Sequence, residues 1–346
     1  MQKVVEWLID CCFRPPREGY DNERTAIAIT SGDSVYLRHP ITFRNSNGKK
    51  LVGSLWYDKD YDIPHYCLVY LHSLGSNQFE SLDLVPFICS NKLALCSFDF
   101  SGSGNSEGGY IPLDGSGIED VEACISALTE SFHFEKYAVW GRSMGAAIAL
   151  HSASELDKFS CCVADSAFKD TESVVYDQAH LNGIPSFIIP IVKRIISIKA
   201  KEILGTNIIS PYPMASLHKS KTPLLIGHGK QDSFITVSQA NAIFEVYGCD
   251  DKAVYVFEGC HNTTRCSQWF EHASRFIHRK LGLEPSKRYY DNVVNNADIH
   301  SGTKGVVYFD INCAMRDYRK FRKISSKLDD EERIHNSDVS TDLKSA

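Results

Sequence analysis

The sequence predicts an α/β domain in which a mostly parallel sheet is covered by helices on both faces. One observation behind this is a set of short, near-continuous apolar runs: Tyr66–Leu71, Leu93–Phe98, Tyr137–Trp140, Phe159–Ala164, Pro223–Gly227 and Ala253–Phe257. Strands wetted on one side alternate apolar with polar residues, whereas strands covered on both sides do not need to. A second is that helical patterns separate these runs, over Leu82–Ile88, Ile118–Leu128, Met144–Ala153, Val237–Val246 and Gln268–Leu281. Strand–helix repetition of this kind builds parallel sheets, because each return crossing carries a helix. The third lies upstream, where residues 35–43 and 50–57 flank Asn45-Ser46-Asn47-Gly48. That is a hairpin turn signal, so the sheet starts antiparallel and is mixed.

The connection between the run ending at Ala164 and the run beginning at Pro223 is too long for a simple crossover. It holds a helical pattern of its own, Ile188–Ile203, with Lys193, Arg194, Lys199 and Lys201 among apolar residues. An insertion there, about residues 168–221, sits above the C-terminal edge of the sheet, where open α/β folds bind ligands. It is expected to be a short helical cap. The domain is expected over residues 35–283, after an N-terminal segment 1–34 and before a C-terminal extension 284–346. That extension is polar, with a basic patch (Arg316, Arg319, Lys320, Arg322, Lys323) and an acidic run Asp329–Glu332, and its composition is that of a partly disordered tail.

Bulk properties remove several classes of function. A net charge of −6 and a pI near 6.1 are the wrong sign for nucleic-acid binding. Twelve cysteines occur without a Cys-x-x-Cys pair, and several lie in strand-like runs, as buried apolar side chains do, which argues against a metal site or a disulfide framework. Met1–Arg17 lacks the basic start and apolar core of a signal peptide, and Ile184–Ile198 is too short and too charged to span a bilayer. A reduced, cytoplasmic setting is expected.

The chemistry concentrates in Gly141-Arg142-Ser143-Met144-Gly145, directly after one apolar run and directly before the small-residue helix. G-x-S-x-G at a strand-to-helix junction forms a sharp turn that holds the serine in strained backbone, with glycines where side chains would clash. A serine hydroxyl needs a base to become nucleophilic at neutral pH. Most histidines in a chain are structural or exposed. His261 is different, since Gly259-Cys260-His261-Asn262 follows the last strand and can bring the imidazole onto Ser143. Asp232, in His228-Gly229-Lys230-Gln231-Asp232, follows the preceding strand and can orient it; Asp165, one strand earlier, is the rival. The oxyanion donors expected are the backbone N–H groups of Met144 and of Leu74, the latter in His72-Ser73-Leu74-Gly75-Ser76. The glycine-rich Asp99–Ser106 fails the dinucleotide pattern, with Glu107 where the third glycine falls, so no cofactor is expected.

From about residue 35 to 282 the sequence resembles the eukaryotic alpha/beta-hydrolase-domain-containing proteins with serine-aminopeptidase-like domains. The segments that match are Asp99–Gly104 with Ser106, Trp140–Ala146, Asp165–Phe168, and His261-Asn262 with Arg265. The resemblance implies the alpha/beta-hydrolase fold and a Ser143, Asp232, His261 triad. The family does not fix the substrate; the function expected is that of a serine hydrolase cleaving an ester or thioester through an acyl-enzyme, on a small-molecule, lipid or acylated-protein substrate. A peptidase acting on amides and a catalytically silent binding protein on the same fold are the alternatives. The chain departs from the family pattern at Ser73, where glycine is usual, which puts the geometry of the oxyanion loop in question. Cys11 and Cys12, after Val4, Val5, Trp7 and Leu8, are the positions at which acylation would give peripheral membrane association.

Overall fold

The computed structural model describes residues 17, 19–20, 27–31, 33–60, 64–90, 92–111, 113–181, 185–204 and 212–283. Cys11, Cys12 and the extension from residue 284 lie outside the described residues.

Nine strands among the described residues form one sheet: β1 (Ala28–Ser31), β2 (Ser34–Arg44), β3 (Lys50–Asp58), β4 (Tyr66–Leu71), β5 (Leu93–Phe98), β6 (Lys136–Arg142), β7 (Phe159–Asp165), β8 (Leu224–Gly229) and β9 (Lys252–Phe257). They lie in the order β1-β2-β3-β5-β4-β6-β7-β8-β9. β1 to β3 are antiparallel to their neighbours, and every pairing from β5 across to β9 is parallel. The hairpin forms at the signalled turn, with Asn45 N bonded to Lys49 O. β1 is an addition to the sequence reading. It precedes residue 35, is four residues long and lies at the edge, too short for periodicity to reveal it.

The continuous apolar character of the parallel strands follows from their two-sided cover. In β4, Cys67, Val69 and Leu71 pack into one core layer, whereas Leu68 and Tyr70 pack into the other. The first layer is closed by α2 (Gly117–Phe132), α3 (Met144–Glu155) and α7 (Val237–Val246), through residues such as Val121, Ile148 and Ile243. The second is closed by α1 (Val85–Cys89), which follows a 3-10 segment Gln78–Leu84, and by α8 (Ser267–Leu281). α8 reads its amphipathicity directly: Trp269, Ala273, Phe276, Ile277 and Leu281 recur on one face and are buried. Burial also pushes the thiols of Cys67, Cys161 and Cys162 above the ordinary range, so they pack as protonated apolar groups.

The long connection from β7 to β8 carries α4 (Thr171–Leu181), α5 (Ile189–Leu204) and α6 (Met214–Leu217). The loops leaving β4, β6, β7, β8 and β9 all emerge at the C-terminal ends of parallel strands, which brings together segments far apart in sequence.

Candidate active site

Ser143 occupies the junction of β6 and α3 with φ 53° and ψ −116°, a conformation most L-residues avoid. The strained turn is held from both sides. Ser143 N donates to Asp165 O at 2.8 Å, and the N–H groups of Ala146 and Ala147 reach back to Ser143 O. Both flanking glycines are obligatory on steric grounds. A Cβ on Gly141 would fall 2.0 Å from Gly145 O, and one on Gly145 would fall 2.0 Å from Leu71 O.

The loop after β9 sets His261 Nε2 2.9 Å from Ser143 Oγ, and its Nδ1 lies 2.7 Å from Asp232 Oδ2. An ionised carboxylate only accepts, so Nδ1 carries the proton and Nε2 is free to accept the serine proton. The other Asp232 oxygen, Oδ1, accepts from the N–H of Phe234 at 3.0 Å and of Ile235 at 2.8 Å. Both oxygens of a fully buried carboxylate are thereby committed, and the Phe234 ring flanks the imidazole at 5.0 Å between centroids. The structure thus brings Ser143, His261 and Asp232 into one hydrogen-bonded chain.

It keeps the rival acid out of that chain. Asp165 receives Arg265 Nε at 2.9 Å on each oxygen and Trp269 Nε1 at 3.0 Å. Burial alone would push the Asp165 carboxyl up, but Arg265, Arg142 and these bonds outweigh it and hold the group below its ordinary range. Arg265 also donates to Thr263 O at 2.6 Å and to His261 O at 3.2 Å. The pair therefore ties the histidine loop to the end of β7.

Of the expected oxyanion donors, Met144 opens α3, where the first N–H groups have no partner within the helix. Leu74 lies in the loop after β4, against which the elbow packs: the carbonyl oxygens of Leu71 and His72 are what a Cβ on Gly145 would strike. Ser73, the departure from the family pattern, is tied to the segment that follows the loop. Its N–H and Oγ both donate to Glu80 Oε2, at 2.7 and 2.8 Å. Arg142 faces Glu80 across 3.8 Å and donates to His261 O at 3.2 Å, linking the loop, the elbow and the histidine. The glycine-rich segment after β5 joins in, as Phe100 N donates to His72 Nε2 at 3.2 Å.

Three groups here escaped the sequence reading. Glu80 carries no local motif, and Arg142 fills a position that the elbow pattern leaves open. His228 lies buried beneath Asp232, its Nε2 2.8 Å from Ile235 O and 3.6 Å from Asp232 Oδ2. A carbonyl only accepts, so Nε2 is the protonated nitrogen, and burial lowers the His228 pKa to keep the ring neutral. The available signal was its place two residues before the loop that carries Asp232.

A mixed sheet with this strand order and a strained serine elbow at the end of a central parallel strand define the class: the chain has the alpha/beta-hydrolase fold. A family model described as serine aminopeptidase, S33, matches residues 63–191. A Saccharomyces cerevisiae protein named as an uncharacterized membrane protein is 28% identical over 213 residues, which span 60% of this chain and 69% of its own. Among solved structures, an esterase of Pyrococcus furiosus superposes with a TM-score of 0.57 at 19% identity, covering 76% of this chain and 98% of the esterase. Est1E of Butyrivibrio proteoclasticus, solved with ferulic acid bound, superposes with a TM-score of 0.51 at 15% identity, covering 70% of this chain and 100% of that one. At such identities the structural likeness concerns the fold. No helix among the described residues is long and apolar enough to cross a membrane.

Proposed function

We propose that this chain is a serine hydrolase that cleaves an ester or thioester through a covalent acyl-enzyme. The observation that carries the reading is the chain from Ser143 Oγ to His261 Nε2 at 2.9 Å and from Nδ1 to Asp232 at 2.7 Å. Nε2 takes the hydroxyl proton as Oγ bonds to the carbonyl carbon, and the buried Asp232 stabilises the imidazolium that forms. The carbonyl oxygen becomes an oxyanion facing the N–H groups of Met144 and Leu74. The tetrahedral intermediate collapses, the bond to the leaving alcohol or thiol breaks, and Nε2 returns its proton to that group. Water then repeats the sequence on the acyl-serine, releasing the acid and restoring Oγ–H. A serine at position 143 supports this route over an epoxide hydrolase or dehalogenase, which would need aspartate there.

The esterase neighbours favour an ester or thioester, and the serine aminopeptidase description of the matched family keeps amide cleavage as the second reading. A fluorophosphonate probe followed by a panel of acyl esters, acyl-thioesters and peptide amides tests both. Covalent labelling at Ser143 with faster ester or thioester turnover is expected. Amide preference moves the function to the second reading, and a folded chain that neither labels nor turns over is a binding protein instead.

A further inference from the structure

α5 is amphipathic in its burial but not in the usual chemical sense. Ile189, Ile196 and Ala200 face inward and are at most 9% exposed. The opposite face, at three- and four-residue spacing, presents Pro190, Ile191, Arg194, Ile198 and Lys201, all exposed. Ile191 is 59% and Ile198 49% exposed, and Phe187, on the turn that enters the helix, is 79% exposed. The solvent side of a cap helix is normally polar. Here large apolar side chains alternate with basic ones along one stripe, and Glu202 is the acidic residue on it. Single exposed isoleucines need no explanation, whereas apolar residues gathered on one helix face mark a contact surface.

We infer that the outer face of α5 is a membrane-docking surface, on which Phe187, Ile191 and Ile198 enter the interface of a bilayer while Arg194 and Lys201 engage anionic headgroups. The commitment to a bilayer rests on charge. A second copy of this stripe would oppose basic residues to basic residues, whereas an anionic lipid surface satisfies both components at once. Lys193 does not belong to this set, because it turns inward to pair with Glu172 of α4. The inference does not depend on the acyl-transfer chemistry, yet it bears on where the site would face. α4 contacts α5, and its Gln178 Nε2 donates to Phe234 O at 2.8 Å in the loop that carries Asp232.

The experiment is flotation of the purified, non-acylated full chain with vesicles of phosphatidylcholine alone and of phosphatidylcholine with 30% phosphatidylserine, about an anionic-leaflet composition. The wild type is expected to float with the anionic vesicles and to be released by high salt. Ile191→Ser/Ile198→Ser and Arg194→Glu/Lys201→Glu are each expected to lower the bound fraction roughly tenfold or more, with melting temperatures unchanged. Absence of binding by the wild type overturns the inference. So does binding that both double variants retain, which would move the contact to another segment. A dimer of the wild type on gel filtration that Ile191→Ser/Ile198→Ser dissolves would assign the face to a second copy instead, and also overturns it.

Discussion

The two aspartates at the sheet's C-terminal edge should give opposite phenotypes when each is changed to asparagine. In Asp232, Oδ1 faces the N–H groups of Phe234 and Ile235 and Oδ2 faces His261 Nδ1, so every neighbour is a donor. An amide nitrogen has no acceptor on either side unless the imidazole shifts its proton to Nε2, which is the wrong tautomer for accepting from Ser143. Asp232→Asn should therefore slow turnover by something like 10⁴-fold while the backbone bonds to Oδ1 survive and the fold holds. Asp165 is a structural acid. Its side chain and that of Arg265 are each 3% exposed, and removing its charge strands a buried guanidinium. Breaking a buried pair costs about 3–5 kcal/mol, which in a domain of this size lowers the melting temperature by roughly 6–20 °C. Thermal melts and acyl-ester turnover at a temperature where both variants are folded separate the cases. An Asp165→Asn protein that melts like wild type but loses turnover, beside an active Asp232→Asn protein, would refute the assignment.

The remaining expectations use the same contacts. Ser143→Ala should abolish fluorophosphonate labelling and turnover with the melt unchanged, and retained turnover would remove the acyl-enzyme mechanism. Gly145→Ala should lose labelling or fold, because its Cβ would sit 2.0 Å from Leu71 O; full labelling at an unchanged melting temperature would show the elbow to be pliable. Since the folded Asp165 carboxyl lies below its ordinary value, its contribution is complete above the unfolded pKa of about 3.9 and is lost as pH falls further toward the folded value. The stability difference between wild type and Asp165→Asn in urea titrations should accordingly shrink below about pH 4, and a constant difference would contradict the pairing. His228→Ala leaves Ile235 O without its donor, which should cost about 1–3 kcal/mol and lower kcat more than it raises KM, as a displaced Asp232 requires; an equal change in both would make His228 merely structural.

The central strands were legible in the sequence because two-sided burial writes itself as unbroken apolar runs, and the elbow was legible because strain and close approach leave glycine few substitutes. β1 was not legible: a four-residue edge strand such as Ala28–Ser31 is held by pairing with β2, and pairing has no local signature. The seryl–imidazole–carboxylate chain could be proposed because each member sits just after a strand end, and in a parallel sheet the strand ends converge wherever the sequence places them.

What stayed hidden is the scaffold that makes this convergence accurate. Asp165 and Asp232 look alike in sequence, each following a strand, and only a partner a hundred positions away, Arg265, distinguishes the one that is spoken for. The same guanidinium holds the His261 carbonyl, so the acid excluded from the chain still positions the proposed base through its salt bridge. Glu80 acts alike on the other side, receiving Ser73 from the loop after β4 and facing Arg142, whose second amino group reaches the same His261 carbonyl. Two arginines thus meet on one backbone oxygen, each backed by a carboxylate, Asp165 behind Arg265 and Glu80 behind Arg142. The position of His261 is fixed by charges that neither periodicity nor motif spacing can report, because each contact joins segments that only the folded sheet brings side by side.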